Sequence, residues 1–319
     1  MLFKHLVDLY EILDTPNASG AKVLEYLRSI NNALDGETYT LEGPNGTTDM
    51  IRIRIPGING KSTSGTAPTI GLLGHLGGLG SRPERIGFVS DGDGALTVLA
   101  LAAKLLDMQK KGDCLEGDVF ISTHVCPRAA IYPHKPVALM SAPVPTAKIN
   151  QEELTDELDA VLVIDATKGN RVINHRGIAI SPTVIQGVVL NTSEDLLDLL
   201  QVTTGRLPQV FAISMTDITP YGNGLYHLNN IMQPCTFTAA PVVGVAITTE
   251  TAIPGCATGA TRLADLDEAG TFALEVAKAF TRGICSFYDE DEYINFTERY
   301  GSMRHLQTMG MLPPENAQA

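Results

Sequence analysis

The chain has 319 residues, of which 44% are hydrophobic, 6% aromatic and 18% charged, with no Trp. A chain this long and this apolar can bury a sizeable core, which excludes intrinsic disorder. Its 23 Lys and Arg against 36 Asp and Glu give a net charge of −13, which speaks against a nucleic-acid backbone or an anionic membrane surface as partner.

Residues 1–5 carry no apolar leader stretch, and no window approaches the ~18 consecutive apolar residues of a membrane span. Helical periodicity first appears over 21–34, where Leu24, Leu27, Asn31 and Leu34 share a face. Residues 50–55 alternate and predict a half-exposed strand. The stretch 56–63 contains Gly57, Gly60, Lys61 and Ser62 in the order of a phosphate loop. No helix follows it, so a hairpin loop between two strands is the simpler expectation. Strand-like runs follow at 69–74 and 86–89, then a helix at 94–108 and a strand at 118–123. Residues 130–145 are proline-rich and long for a structureless connection, as lids and subunit contacts often are. Residues 160–165 and 242–247 are continuously apolar, as strands covered on both faces would be. Further strands are expected at 184–190 and 209–213. Residues 221–227 form a Gly- and Asn-rich loop with two tyrosines. Leu266, Ala269, Phe272, Ala273, Val276 and Phe280 make a strong final helical stripe, with Asp265 and Glu268 spaced like a capping box at its start. The acidic run 289–292 reads as the solvated start of a helix, and 312–319 as a loose tail.

Strands alternating with long helices predict an α/β fold: a three-layer α/β/α sandwich around a mixed, mostly parallel sheet. No second core is visible, so 1–319 reads as one domain. The five cysteines (Cys114, Cys126, Cys235, Cys256 and Cys285) are odd in number and contain no C-x-x-C pair. That pattern suits reduced thiols and a cytoplasmic protein.

In such sheets ligands bind at the carboxyl ends of the strands. Four polar residues stand at predicted strand ends: His75, Asp91, His124 and Asp165. Taken singly, His75 would be a hydrogen-bonded core histidine, Asp91 a helix N-cap and Asp165 a turn residue. Taken together, one imidazole and two carboxylates form a ligand set for zinc or manganese.

At these residues the chain resembles the co-catalytic zinc aminopeptidase superfamily, which includes leucine, glutamyl and deblocking aminopeptidases and related deacylases. Residues 13–20 resemble its opening helix–loop–helix, and 69–75 the strand ending in its first metal histidine. Asp91-Gly92-Asp93-Gly94 resembles its bridging-aspartate motif, and Val163-Ile164-Asp165 the strand ending in its second aspartate ligand. The chain also resembles a bacterial family of unknown function.

The resemblance implies a zinc-exopeptidase-like fold, an amide-bond hydrolase acting on a small or short peptide-like substrate, and often a homo-oligomer. His75, Asp91 and Asp165 would hold one metal. The second half departs from the pattern. Where the family carries a Glu-Glu pair, this chain reads His124-Val125-Cys126-Pro127-Arg128, and where a late metal histidine is expected it has Ile253-Pro254-Gly255-Cys256. The aspartate that usually orients the first histidine is Gly77. Either His124, Cys126 and Cys256 rebuild a softer second site, or a single ion remains, which is the preferred expectation. His124 stands where the missing general base belongs, with Glu250 and Asp93 as weaker substitutes. The rival expectation is a non-catalytic binding or assembly protein that keeps the scaffold.

Overall fold

The computed structural model describes residues 1–310, so the tail at 312–319 lies outside the described residues. Among the described residues there are twelve strands: β1 (Asp35–Gly43), β2 (Gly46–Ile55), β3 (Ile70–His75), β4 (Gly78–Leu79), β5 (Val119–Cys126), β6 (Ala130–Tyr132), β7 (Leu139–Ser141), β8 (Ala160–Asp165), β9 (Gly177–Ile180), β10 (Val184–Ile185), β11 (Val188–Val189) and β12 (Val242–Thr248). The helices are α1 (Leu2–Leu13), α2 (Gly20–Ile30), α3 (Asp93–Lys110), α4 (Thr146–Glu153), α5 (Glu194–Thr204), α6 (Leu263–Thr281) and α7 (Glu290–Tyr300).

The fold is α/β. Ten strands form one mixed sheet in the order β1-β2-β5-β3-β8-β12-β10-β11, with β4 on β5 and β9 on β12. Its centre, β5-β3-β8-β12, is parallel, and the β1–β2 hairpin adds antiparallel to β5. β3, β5, β8 and β12 are buried at every position, which explains the continuously apolar runs of β8 and β12.

The two faces of the sheet are covered differently. Leu72, Ile121, Ile164 and Val245 point to one side, into a core shared with α1, α2, α3, α5 and α6. Leu73, Phe120, Val161, Val163 and Ala246 point to the other. There the cover includes Phe211, Ile218, Ile231, Met232 and Cys235, from a long segment whose only regular element is a 3₁₀ turn at Gln233–Thr236. Residue α4 Ile149 packs with β2 Met50 on this same side. The second helical layer of the expected sandwich is therefore largely irregular chain.

Several expectations are corrected. Residues 86–89 form no strand: Ile86 is 85% exposed, Gly87 has φ +115°, and only Val89 makes an isolated bridge, to Thr258. Residues 209–213 contribute one bridge, Val210 to Ile180. The run 184–190 folds back on itself as β10 and β11. Asp265 lies inside α6, which Arg262 precedes as N-cap. The 56–63 loop is not a hairpin, because β5 separates β2 from β3. Nor are its amides free for a phosphate. The Asp118 carboxylate accepts from Gly57 N (2.8 Å), Ser62 N (2.8 Å) and Ser62 Oγ (2.8 Å), so the loop cradles an anion that the chain itself supplies.

Candidate functional site

Parallel pairing sets His75 directly beside Asp165 at the carboxyl ends of β3 and β8. Alternation along each strand then fixes their direction. His75 lies two residues after Leu73, and Asp165 two after Val163, so both side chains share the thinly covered face. The glycines around His75 serve close packing. A side chain at Gly94 would collide with the carbonyls of His75 and Ile164, and one at Gly74 with the backbone of α3. The N-terminus of α3 therefore sits against the two strand ends.

Asp91 arrives from a short 3₁₀ turn, Ser90–Gly92, and not from a strand end. Its backbone is pinned on both sides: Leu76 N donates to Asp91 O (3.2 Å), and Asp91 N to Gly255 O (3.0 Å). The N-cap of α3 is Gly92, with no side-chain capping bond, so Asp91 is not the cap its position suggested. A side chain at Gly255 would run into the Asp91 carboxylate.

His75, Asp91, Asp165 and His124 all line one cavity of about 520 Å³. Its walls include Ile149, Leu228 and Ile253, and Tyr132, Tyr221 and Tyr226 stand at the mouth. The 130–145 stretch forms the β6–β7 hairpin, and Tyr132, His134 and residues 136–142 border the opening. The 221–227 loop supplies the other two tyrosines, while His227 turns away to bond Thr219.

A residue that the spacing did not point to completes the group. Glu153, the last residue of α4, is 0% exposed, and His75 Nε2–H donates to its Oε2 at 2.7 Å. The carboxylate that orients this imidazole is thus delivered from another element, which makes up for Gly77. Only the i, i+3, i+4, i+7 series Thr146, Ile149, Asn150 and Glu153 could have hinted at it in the sequence.

His124 lies inside β5, opposite Met50 of β2, and not at the strand end. The Thr48 hydroxyl donates to Val125 O (3.1 Å). By this network His124 Nδ1–H donates to Thr48 Oγ1 (2.8 Å), leaving Nε2 unprotonated. Nε2 is close enough to Gly77, at φ +125°, that any side chain there would strike it.

The electrostatics are dominated by negative charge. Burial, then the neighbouring Asp165 and Asp93, push the Asp91 carboxyl up to about 8. Burial pushes Asp165 up to about 6, against the opposing pull of His75. Burial works to lower the His75 pKa, but the Glu153 and Asp165 carboxylates outweigh it and hold it above the usual histidine range. Burial, then His75, drive His124 down to about 3, so it is neutral at physiological pH. Asp93 is compensated: Lys168 Nζ meets it at 2.6 Å and Thr261 Oγ1 donates at 2.6 Å. Asp93 therefore faces its own partners and not the cavity. Glu250 is exposed and does not line the cavity.

Cys126 and Cys256 are both buried in one apolar cluster with Leu79, Val89, Ala129 and Met140. Neither lines the cavity, and burial raises the Cys126 thiol further. Among the described residues, no three His, Cys, Asp or Glu side chains are gathered into a ready-made metal centre. Yet His75 Nδ1, Asp165 Oδ2 and Glu153 Oε1 are all buried without a hydrogen-bond partner. Buried polar atoms are ordinarily paired. An imidazole nitrogen and carboxylate oxygens left open in an anionic pocket are the donors that zinc or manganese takes, so the residues fit such an ion.

Residues 39–310 match the family described as "Protein of unknown function (DUF1177)". The chain belongs to that family. No curated protein matches the sequence. Among solved structures, a glutaminyl cyclase from an Acidobacteriales bacterium is 15% identical, with 88% of this chain and 94% of that chain covered at a TM-score of 0.47. The LapA aminopeptidase of Legionella pneumophila is 12% identical, with 90% and 71% covered at 0.49. The Bacillus subtilis YXEP protein, titled a dinuclear metal binding peptidase of the M20 family, is 10% identical, with 88% and 99% covered at 0.46. At these identities and scores nothing about the activity of this DUF1177 chain follows from them. No described helix is long and apolar enough to cross a membrane.

Proposed function

We propose that this DUF1177 protein is a metal-dependent hydrolase of amide bonds in small substrates. The observation that carries the reading is the set of unpartnered buried atoms, His75 Nδ1, Asp165 Oδ2 and Glu153 Oε1, in a site whose carboxylates outnumber its cations. His75, Asp91 and Asp165 would hold one zinc or manganese ion, which when bound supplies Lewis-acid polarisation of an amide carbonyl.

The chain's own residues do the rest. Glu153 Oε2 accepts the hydrogen bond of His75 Nε2–H and leaves Nδ1 as the ring's unpartnered nitrogen. Its second oxygen, Oε1, is free to hold a proton during bond cleavage, the task for which the resemblance left no carboxylate after β5. His124 is too weakly basic for that task. It serves instead as a neutral hydrogen-bond acceptor through Nε2, fixed in place by Thr48. The tyrosines at the mouth and the β6–β7 hairpin limit access of bulk water to the floor.

A second reading, a binding or assembly protein without metal, is favoured by one observation. His75 and Glu153 already pair directly at 2.7 Å, so the two can neutralise each other. Elemental analysis of protein purified without chelator or histidine tag decides between them. About one zinc or manganese per chain, lost in His75→Ala, together with amide hydrolysis lost in Glu153→Gln, supports the hydrolase. Metal-free protein whose ligand binding is indifferent to chelator supports the second reading.

A further inference from the structure

Asn150 is 1% exposed, borders the site cavity, and has no hydrogen-bond partner on either amide atom, Oδ1 or Nδ2. An asparagine offers two donors and an acceptor. Leaving one wholly unpaired in a protein interior is costly, because its hydration is lost and no bond replaces it. Its direction follows from helix geometry. Asn150 precedes Glu153 by three residues on α4, and residues so spaced share a face. Glu153 points at His75, so Asn150 faces the same end of the cavity. Thr146 and Ile149 continue that stripe along the cavity wall. Asn150 also borders a second cavity, lined by Leu154, Asp156, Phe237 and Arg304, but Asp156 there is exposed to solvent, whereas the buried unpartnered atoms of His75, Asp165 and Glu153 lie at the first.

We infer that Asn150 is the residue that recognises the substrate's amide group. Its free acceptor and free donor together call for a ligand group that carries a donor and an acceptor side by side. An amide does. A carboxylate offers only acceptors, would leave Oδ1 unpaired, and is repelled by Asp91, Asp165 and Glu153. An ammonium offers only donors and would leave Nδ2 unpaired. The cavity's apolar walls, Ile149, Leu228 and Ile253, with tyrosines at the mouth, select a compact ligand whose amide reaches the floor and whose other end is apolar or aromatic. The inference rests on the hydrolase reading for the amide, and not for the metal.

The test is ligand-observed NMR titration of the full chain, as purified and after chelation. The probes are 3-phenylpropanamide, the isosteric ketone 4-phenylbutan-2-one and the anion 3-phenylpropanoate. A site built to hydrogen-bond a group rejects the analogue lacking it. The amide is expected to bind at least ~10-fold more tightly than ketone or anion, with or without metal. Asn150→Leu, close in size, should abolish that preference while leaving metal content unchanged and the melting temperature equal or higher, since an unpaired polar group is removed. Asn150→Asp, which keeps the shape but loses the donor, should abolish it too. Equal binding of amide and ketone, no binding of any probe, or a preference that survives in both variants overturns the inference. Loss of metal in Asn150→Leu overturns it as well, by assigning Asn150 to the metal site. Protein that holds no metal but keeps the amide preference overturns only the metal reading.

Discussion

Replacing Asp91 by Asn tests whether the site is built for a cation. In metal-free protein the Asp91 carboxyl is pushed from 3.8 up to about 8. A group whose folded pKa is raised stabilises the fold below its unfolded pKa, and that stability is lost as pH rises toward the folded pKa. At pH 7 the carboxyl is about three pH units above its unfolded value, and each unit is worth about 1.4 kcal/mol, so the upper limit is ~4 kcal/mol. Asp91 is only half-buried, so about 2 kcal/mol is the expected penalty after screening. Chelated Asp91→Asn should therefore be more stable than the chelated parent by about 2 kcal/mol at pH 7, and equal to it near pH 4. Added zinc should reverse the order, because it stabilises the parent by mass action and finds a crippled site in the variant. Urea unfolding at pH 4, 5.5 and 7, with chelator and with zinc, measures all of this. A plain helix cap would behave otherwise, since Asn caps as well as Asp. Chelated Asn variant no more stable than the parent at pH 7, or a parent stability that is flat from pH 4 to 7, would refute the reasoning.

Burial of neutral His124 has the opposite sign. Its pKa is held down to about 3, so stability is lost as pH falls below 6.5, by at most ~1.4 kcal/mol per pH unit, and His124→Asn should flatten that acid limb in urea titrations of chelated protein. Lys168→Met strands the buried Asp93 carboxylate and is expected to cost about 3–5 kcal/mol, most of it recovered by the pair Lys168→Met with Asp93→Leu. Asp118→Ala removes the acceptor of three bonds in the 56–63 loop and should cost about 2–4 kcal/mol, with faster hydrogen exchange at Gly57 and Ser62 and no gain of ATP binding. Glu153→Gln should weaken zinc affinity by about 10–100-fold in a competitive chelator titration, through loss of the imidazole's orienting carboxylate.

The parts of the fold that could be read in advance are those whose pattern is local. The buried strands β8 and β12 announce themselves as unbroken apolar runs, and α3 and α6 as long periodic stripes. β1 drew no assignment because polar residues, Glu37, Thr38, Thr40 and Glu42, stand on both its faces, and pairing with β2 makes them a strand. The site divides in the same way. His75 and Asp165 were legible because strand ends in parallel sheets are predictable places. Asp91 was found for a partly wrong reason, since the strand assigned before it does not exist. Glu153 and Asn150 sit on α4, whose polar surface and short length hide it, and Glu153 meets His75 across a separation of 78 residues. No spacing rule reaches that far. Cys126 and Cys256 drew attention as replacement ligands by being in the right region, but a thiol's burial among Leu, Val and Met depends on packing that the linear order does not display.

The unequal covering of the sheet bears on how this family can diversify. Helices α1, α3 and α6 are interlocked through one apolar core, so an insertion there must shift several elements at once. The opposite side is covered by the β6–β7 hairpin, α4 and the irregular chain before β12, which cross the sheet loop by loop. Length changes on that side alter the cavity walls and mouth while the strand ends keep His75 and Asp165 in register. Relatives should therefore differ most in loop length on the cavity side, and a swap of residues 205–241 between two of them should exchange ligand preference without exchanging the fold.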